Sequence, residues 1–140
     1  MKQIIKTPLD LLDDIYSLAY WMTGSEDASH ELVNTTYLNA STKTKEAQLL
    51  KTFRECYVNL FGQHADFCIN EKSSGSHIQL VESLQNWAAD IKLSVLLNEI
   101  SGLKHHQIAG IVEKPVETVR MWLLWGRKLM ANDCQMKVSA

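Results

Sequence analysis

The stretch Val95-Leu96-Leu97-Asn98-Glu99-Ile100-Ser101-Gly102-Leu103, followed by Gln107-Ile108-Ala109-Gly110-Ile111-Val112 and then Pro115-Val116-Glu117-Thr118-Val119-Arg120, decides how the chain folds. Apolar residues recur there every three or four positions, the spacing of helices with one buried side. Gly102 is a helix stop, and Glu113-Lys114-Pro115 separates a short helix over His105 to Val112 from a second one running from Val116 to about Met130. Two short helices joined by a connection of that length form a helix-turn-helix unit.

Upstream, Ile78, Val81, Leu84, Trp87 or Ala88, Ile91 and Val95 keep the same spacing, which predicts one long helix or two abutting ones up to Gly102. From Gln63 to Ser76 the pattern dissolves and ends in Ser73-Ser74-Gly75-Ser76, a linker composition. Before it, three more helices are expected. Thr7 and Pro8 open the first, over 8–23, with Gly24 as its stop. Ser25 caps the second, whose first turn carries Glu26 and Asp27. Leu49, Leu50, Phe53, Tyr57, Leu60 and Phe61 line one side of the third, Lys45, Lys51 and Arg54 the other, and Gly62 ends it. The expected architecture is all-α, with small helical domains at 1–62 and 77–140 and a linker at 63–76. Spacing with Leu49 and Leu60 assigns Phe53 and Tyr57 to the core.

Composition narrows the function classes. The chain has 140 residues, 46% hydrophobic and 21% charged, too apolar for a disordered chain and too short for a large catalytic barrel. The longest apolar run, Met121 to Trp125, is far below the roughly 20 residues of a membrane span. Asp10, Asp13 and Asp14 interrupt the start before an apolar stretch of signal-peptide length, so a cytoplasmic location is expected. Cys56, Cys68 and Cys134 form no CxxC pair and are expected to be reduced, structural thiols. Adjacent His105 and His106 cannot easily share one ion, and His64 and Cys68 lack companions, so no metal is expected. There is no glycine-rich phosphate loop, nucleophile elbow or singled-out carboxylate pair. Neither an enzyme nor a cofactor is expected.

Net charge is −2, but its distribution alternates. Residues 1–40 and 62–103 are acidic, whereas 41–61 and 104–140 are basic, by +2 and +3. On the last helix, Val116, Val119, Leu123, Gly126 and Met130 share one face at about 100° per residue. Met121, Trp122, Leu124 and Trp125 fall outside it, so the helix is apolar nearly all round and needs a second surface to pack against. The N-terminal part of the same chain, an identical subunit or a different protein are the three partners that fit.

In order and spacing, the quoted stretch resembles the C-terminal part of extracytoplasmic-function RNA polymerase sigma factors. There a leucine-rich helix, a Gly-Leu turn, an Ile-Ala helix and a Pro-Val-x-Thr-Val-Lys/Arg recognition helix follow one another. Ile15 through Gly24, then Asp27-Ala28 and Glu31-Leu32-Val33-Asn34-Thr35-Thr36-Tyr37-Leu38, resemble the N-terminal domain of the same family. The resemblance implies that Glu31, Leu32 and Asn34 dock on core RNA polymerase. It implies that Lys51 and Arg54 meet a melted promoter strand, and that Lys114, Thr118, Arg120, Arg127 and Lys128 meet duplex promoter DNA. Of the partners that could cover the last helix, the different protein is then an anti-sigma factor, beside the alternative of a second copy. Two departures stand out: Glu113 occupies a turn position where glycine is common, and Met121-Trp122-Leu123-Leu124-Trp125 replaces the polar run after Val119-Arg120. The alternative function is therefore a repurposed relative, in which Met121, Trp122, Leu124 and Trp125 form a protein interface.

Overall fold

Helix boundaries follow local chemistry along the computed structural model, which describes residues 7–63 and 78–138, with side chains over 7–63 and 86–130. The described residues form α1 (Leu12–Thr23), α2 (Glu26–Leu38), α3 (Glu46–Phe61), α4 (Ile78–Glu99), α5 (His105–Val112) and α6 (Val116–Val138), and no strand. Apart from Gln63, the expected linker at 63–76 lies outside the described residues, as do His64 and Cys68.

Helix α1 begins four residues later than Thr7-Pro8 predicts. Thr7 N–H donates to Asp10 Oδ2 at 3.0 Å and Asp10 N–H donates back to Thr7 Oγ at 3.3 Å, closing a separate turn ahead of the helix. Tyr37 Oη donates to Pro8 O at 2.6 Å and ties that turn to α2. Gly24, in the left-handed region at φ 68°, ends α1, and Ser25 accepts from Ala28 N–H to cap α2. Helix α6 runs past Met130 to Val138, since neither glycine nor proline occurs between them.

Helix α4 is the axis of the structure. All ten residues from Ala88 to Leu97 are buried, including Asp90, Lys92 and Ser94, and α4 packs against α1, α3, α5 and α6. Periodicity marks one buried side, whereas a helix packed from four directions has none left for solvent. At Trp87 (φ −136°, ψ 20°) α4 kinks, dividing it as the two-helix expectation does. No proline or glycine adjoins Trp87; the kink coincides with the docking of its ring on Trp122, at 6.1 Å between centroids.

Phe53 and Tyr57 are core residues, 0% and 3% exposed. On α6, Val119 and Leu123 are buried as the helical wheel requires, but Trp122, placed outside that face by sequence, is also buried at 3%. Gly126 is the physical reason: a Cβ there would lie 2.5 Å from Val95 Cγ2. Without one, α6 closes on α4 and covers the Trp122 ring, so this side chain is filled by its own chain. No helix among the described residues is long and apolar enough to cross a membrane.

Candidate nucleic-acid interface

Lys51 and Arg54 stand three residues apart on α3 and therefore share one side of it. Both are engaged by the C-terminal half. Arg54 Nε donates to Asp90 Oδ1 at 2.8 Å and Arg54 Nη2 to Asp90 Oδ2 at 3.0 Å, the two-pronged geometry that a guanidinium makes with a carboxylate. The Asp90 side chain is 1% exposed and that of Arg54 18%. Gln63 completes the site, its amide donating to Asp90 Oδ2 at 3.0 Å while its carbonyl accepts from Asp90 N–H at 3.2 Å. Hydrogen bonding to Asp90 holds the Arg54 guanidinium more firmly protonated than usual, against the opposing effect of burial.

Lys51 Nζ lies 2.7 Å from Glu113 Oε1 in an open setting. Its hydrogen bond and charge hold the Glu113 carboxyl below the usual carboxylate range, and Glu113 pushes the Lys51 ammonium upward. Glu113 is the first of the three residues between α5 and α6, and it adopts φ 57°, ψ 48°. It is the non-glycine residue with positive φ among those described. Its N–H donates to Ala109 O, and Lys114 N–H reaches the same carbonyl at 3.1 Å, so the turn closes as a glycine-type helix end without a glycine.

The remaining polar side chains of this unit divide between solvent and contacts within the chain. Gln107 Oε1 accepts from Lys104 N–H at 2.9 Å and fixes the start of α5. Lys104, His105, His106 and Arg120 line a shallow cleft of about 460 Å³ together with Asn98 and Val116. Lys128 is exposed and Thr118 half-buried. Arg127 bonds through Nη2 to Asn98 Oδ1 and lies 3.3 Å from Glu99 Oε1, while Asn98 Nδ2 donates to Leu103 O at 2.9 Å. Arg127 thus fastens α6 to the end of α4. Lys114 stands 3.6 Å above the Trp87 ring, a cation–π contact.

The N-terminal candidates divide as well. Glu31 and Asn34 are exposed beside His30 and Val33, whereas Leu32 is 0% exposed and sits in the core, out of reach of a docking partner. Tyr16 Oη and His30 Nε2 are hydrogen-bonded at 2.6 Å, the donor being set by the histidine tautomer. Of the four apolar candidates on α6, Met121 and Leu124 are exposed at 43% and 56%, Trp125 is half-buried, and Trp122 is enclosed. Among the described residues there is no cluster of three or more metal-ligating side chains. Sequence reasoning missed Asp90 and Gln63; a lone acid inside the run Trp87-Ala88-Ala89-Asp90-Ile91 was the available signal, because a buried carboxylate requires a partner.

No family model matches the chain, and no solved structure matches it. It is similar to the ECF RNA polymerase sigma-E factor of Haemophilus influenzae, with 33% identity over 67 residues that make up 47% of this chain and 35% of that protein. The chain thus spans about a third of the length of the curated relative it matches. The likeness is to a sigma factor, in keeping with the all-α architecture.

Proposed function

We propose that the chain is a sigma-factor-like protein of transcription initiation or its regulation, a non-enzymatic subunit in two parts, 1–62 and 77–140. In this role the exposed Glu31 and Asn34 side of α2 meets core RNA polymerase. The unit built from α5, Glu113-Lys114-Pro115 and α6 meets promoter DNA. One observation carries the proposal: that unit, in a chain similar to a sigma factor, opens a cleft to solvent in which Arg120 joins Lys104, His105 and His106. Lys104 at the start of one helix and Arg120 on the next suit phosphate contacts. With Arg127 tied to Asn98 and Glu99, base reading is restricted to few polar side chains.

The test is size-exclusion chromatography with purified core RNA polymerase, with an authentic sigma subunit as competitor. Co-elution that the competitor abolishes is the expected result, and absence of co-elution refutes the polymerase role. Promoter-duplex binding followed by fluorescence anisotropy is expected to weaken steeply with salt; an Arg120 substitution weakens binding more than a Thr118 substitution does and makes the salt dependence shallower.

A second function draws on the exposed Met121 and Leu124. They extend the apolar surface of α6 into solvent, as an interface for a second copy or a regulator requires. A Leu124→Arg variant separates the two: it breaks self-association or regulator binding while polymerase co-elution persists.

A further inference from the structure

We propose that the exposed face of α6 pairs with the same face of a second copy of this chain, the two helices lying antiparallel about a two-fold axis between Trp122 and Leu123. The proposal rests on the reading of Met121 and Leu124 as a protein interface and names its occupant. At about 100° per residue, Glu117, Met121, Leu124 and Lys128 fall within about 60° of one another, diametrically opposite the buried Val119, Trp122, Leu123 and Gly126. All four are exposed, Met121 and Leu124 at 43% and 56%. Their spacing of four, three and four positions is that of the seam along which two helices interlock. Trp125, half-buried, widens the stripe along one edge.

What selects a second copy is the order of the stripe: acid, apolar, apolar, base. Read backwards it runs base, apolar, apolar, acid, so the stripe complements itself when one helix is reversed. In that register Glu117 of each copy opposes Lys128 of the other, and Met121 opposes Leu124. Two identical ion pairs then bound two apolar layers, an isologous interface with a polar rim. A parallel pair would set Glu117 on Glu117 and Lys128 on Lys128, and like charges reject it. Neither Glu117 nor Lys128 takes part in an ion pair among the described residues, whereas Arg127 is already held by Asn98 and Glu99 on α4. Nothing in the fold has to open, because α6 presents this face while its core side stays packed on α4 and α5. Arg120 lies at the other edge of the stripe in both copies, and the like charges there keep the association weak.

Sedimentation equilibrium on the full chain tests the pairing, over about 5–500 µM, a range set by the weak association that a small interface gives. The parent is expected to dimerise with a dissociation constant on the order of 10–100 µM. Glu117→Lys and Lys128→Glu each turn both ion pairs into like-charge contacts, and each is expected to weaken dimerisation at least about fivefold. An equimolar mixture of the two variants recovers both pairs, since each supplies the charge that the other lacks. The double variant Glu117→Lys, Lys128→Glu recovers them within one chain at the parent's net charge, which separates paired contacts from general attraction. Mixture and double variant are expected to return to within about twofold of the parent. All substitutions sit at exposed positions, and circular dichroism checks that each variant keeps its fold. A parent that stays monomeric throughout, single variants that dimerise as the parent does, or a double variant no stronger than the singles overturns the proposal. Dimer lost in Leu124→Arg but unmoved by the charge variants refutes the antiparallel pairing and leaves the apolar face an interface. Core-polymerase co-elution on the same proteins judges the sigma-like reading separately.

Discussion

Replacing Gly126 by alanine tests the contact that brings α6 onto the central helix. An alanine Cβ at this position would lie 2.5 Å from Val95 Cγ2 and 3.3 Å from Ile91 Cγ2. Val95 is a β-branched residue in the part of α4 that is buried on all sides, so its methyl cannot swing away without disturbing α1, α3 or α5. Forcing an extra methyl into such a core costs about 1–3 kcal/mol. The gain in helix propensity on replacing glycine offsets up to about 1 kcal/mol of that. A net loss of about 1–2 kcal/mol is expected, read as a fall in Tm of about 4–8 °C for a chain of this size. Thermal and urea unfolding followed by circular dichroism supply the measurement. Combining Gly126→Ala with Val95→Ala removes the colliding methyl, so the pair is expected to lose at least about 1 kcal/mol less than the two single losses together. A Gly126→Ala protein as stable as its parent, or strict additivity in the double variant, would refute the close approach of α6 to α4.

Three further outcomes are expected. Ser25→Ala removes the side-chain cap on Ala28 N–H and costs about 1 kcal/mol in urea unfolding, whereas Ser25→Asn or Asp leaves stability close to the parent. Tyr37→Phe removes the 2.6 Å bond to Pro8 O and costs about 1 kcal/mol, with hydrogen exchange around residues 8–11 speeded more than exchange in α4. Burial pushes the Cys56 thiol up, so in a Cys68→Ser, Cys134→Ser background its alkylation by iodoacetamide near neutral pH is slower than in urea. The sign for stability follows: the folded state favours the neutral thiol, so this contribution is intact below the ordinary cysteine pKa and is lost as pH rises through the elevated one. Alkylation in native buffer as fast as in urea would remove Cys56 from the core.

Legibility from sequence divides along physical lines. Features governed by neighbours a few residues away could be read directly, as with Gly24 ending α1, Ser25 capping α2 and the span of α5. Glu113 stands out only as a departure from the resemblance, at a turn position where glycine is common, and the structure gives it the left-handed backbone that glycine adopts. Trp122 could not be placed, because a helical wheel assumes one packing partner and α6 has both α4 and α5. Nor could the use of Lys51 and Arg54. Their partners lie in another part of the chain, 36 residues away for Asp90, and only the packing of α3 on α4 and α5 brings them together. The start of α1 failed for a smaller reason, as the mutual bonds of Thr7 and Asp10 make a turn that the Thr-Pro signal does not distinguish from a helix.

The unbroken burial of Ala88 to Leu97 has a consequence for how this protein can change. A helix with one wet side offers a mutational scan alternating permissive and intolerant positions every three or four residues. Here ten consecutive positions face neighbours, so a saturation scan should show a continuous intolerant block, with its polar members Asp90, Lys92 and Ser94 resisting exchange for alanine as well as for bulk. Substitutions that this fold can absorb are accordingly expected in the helices around that axis, where one side of each meets solvent.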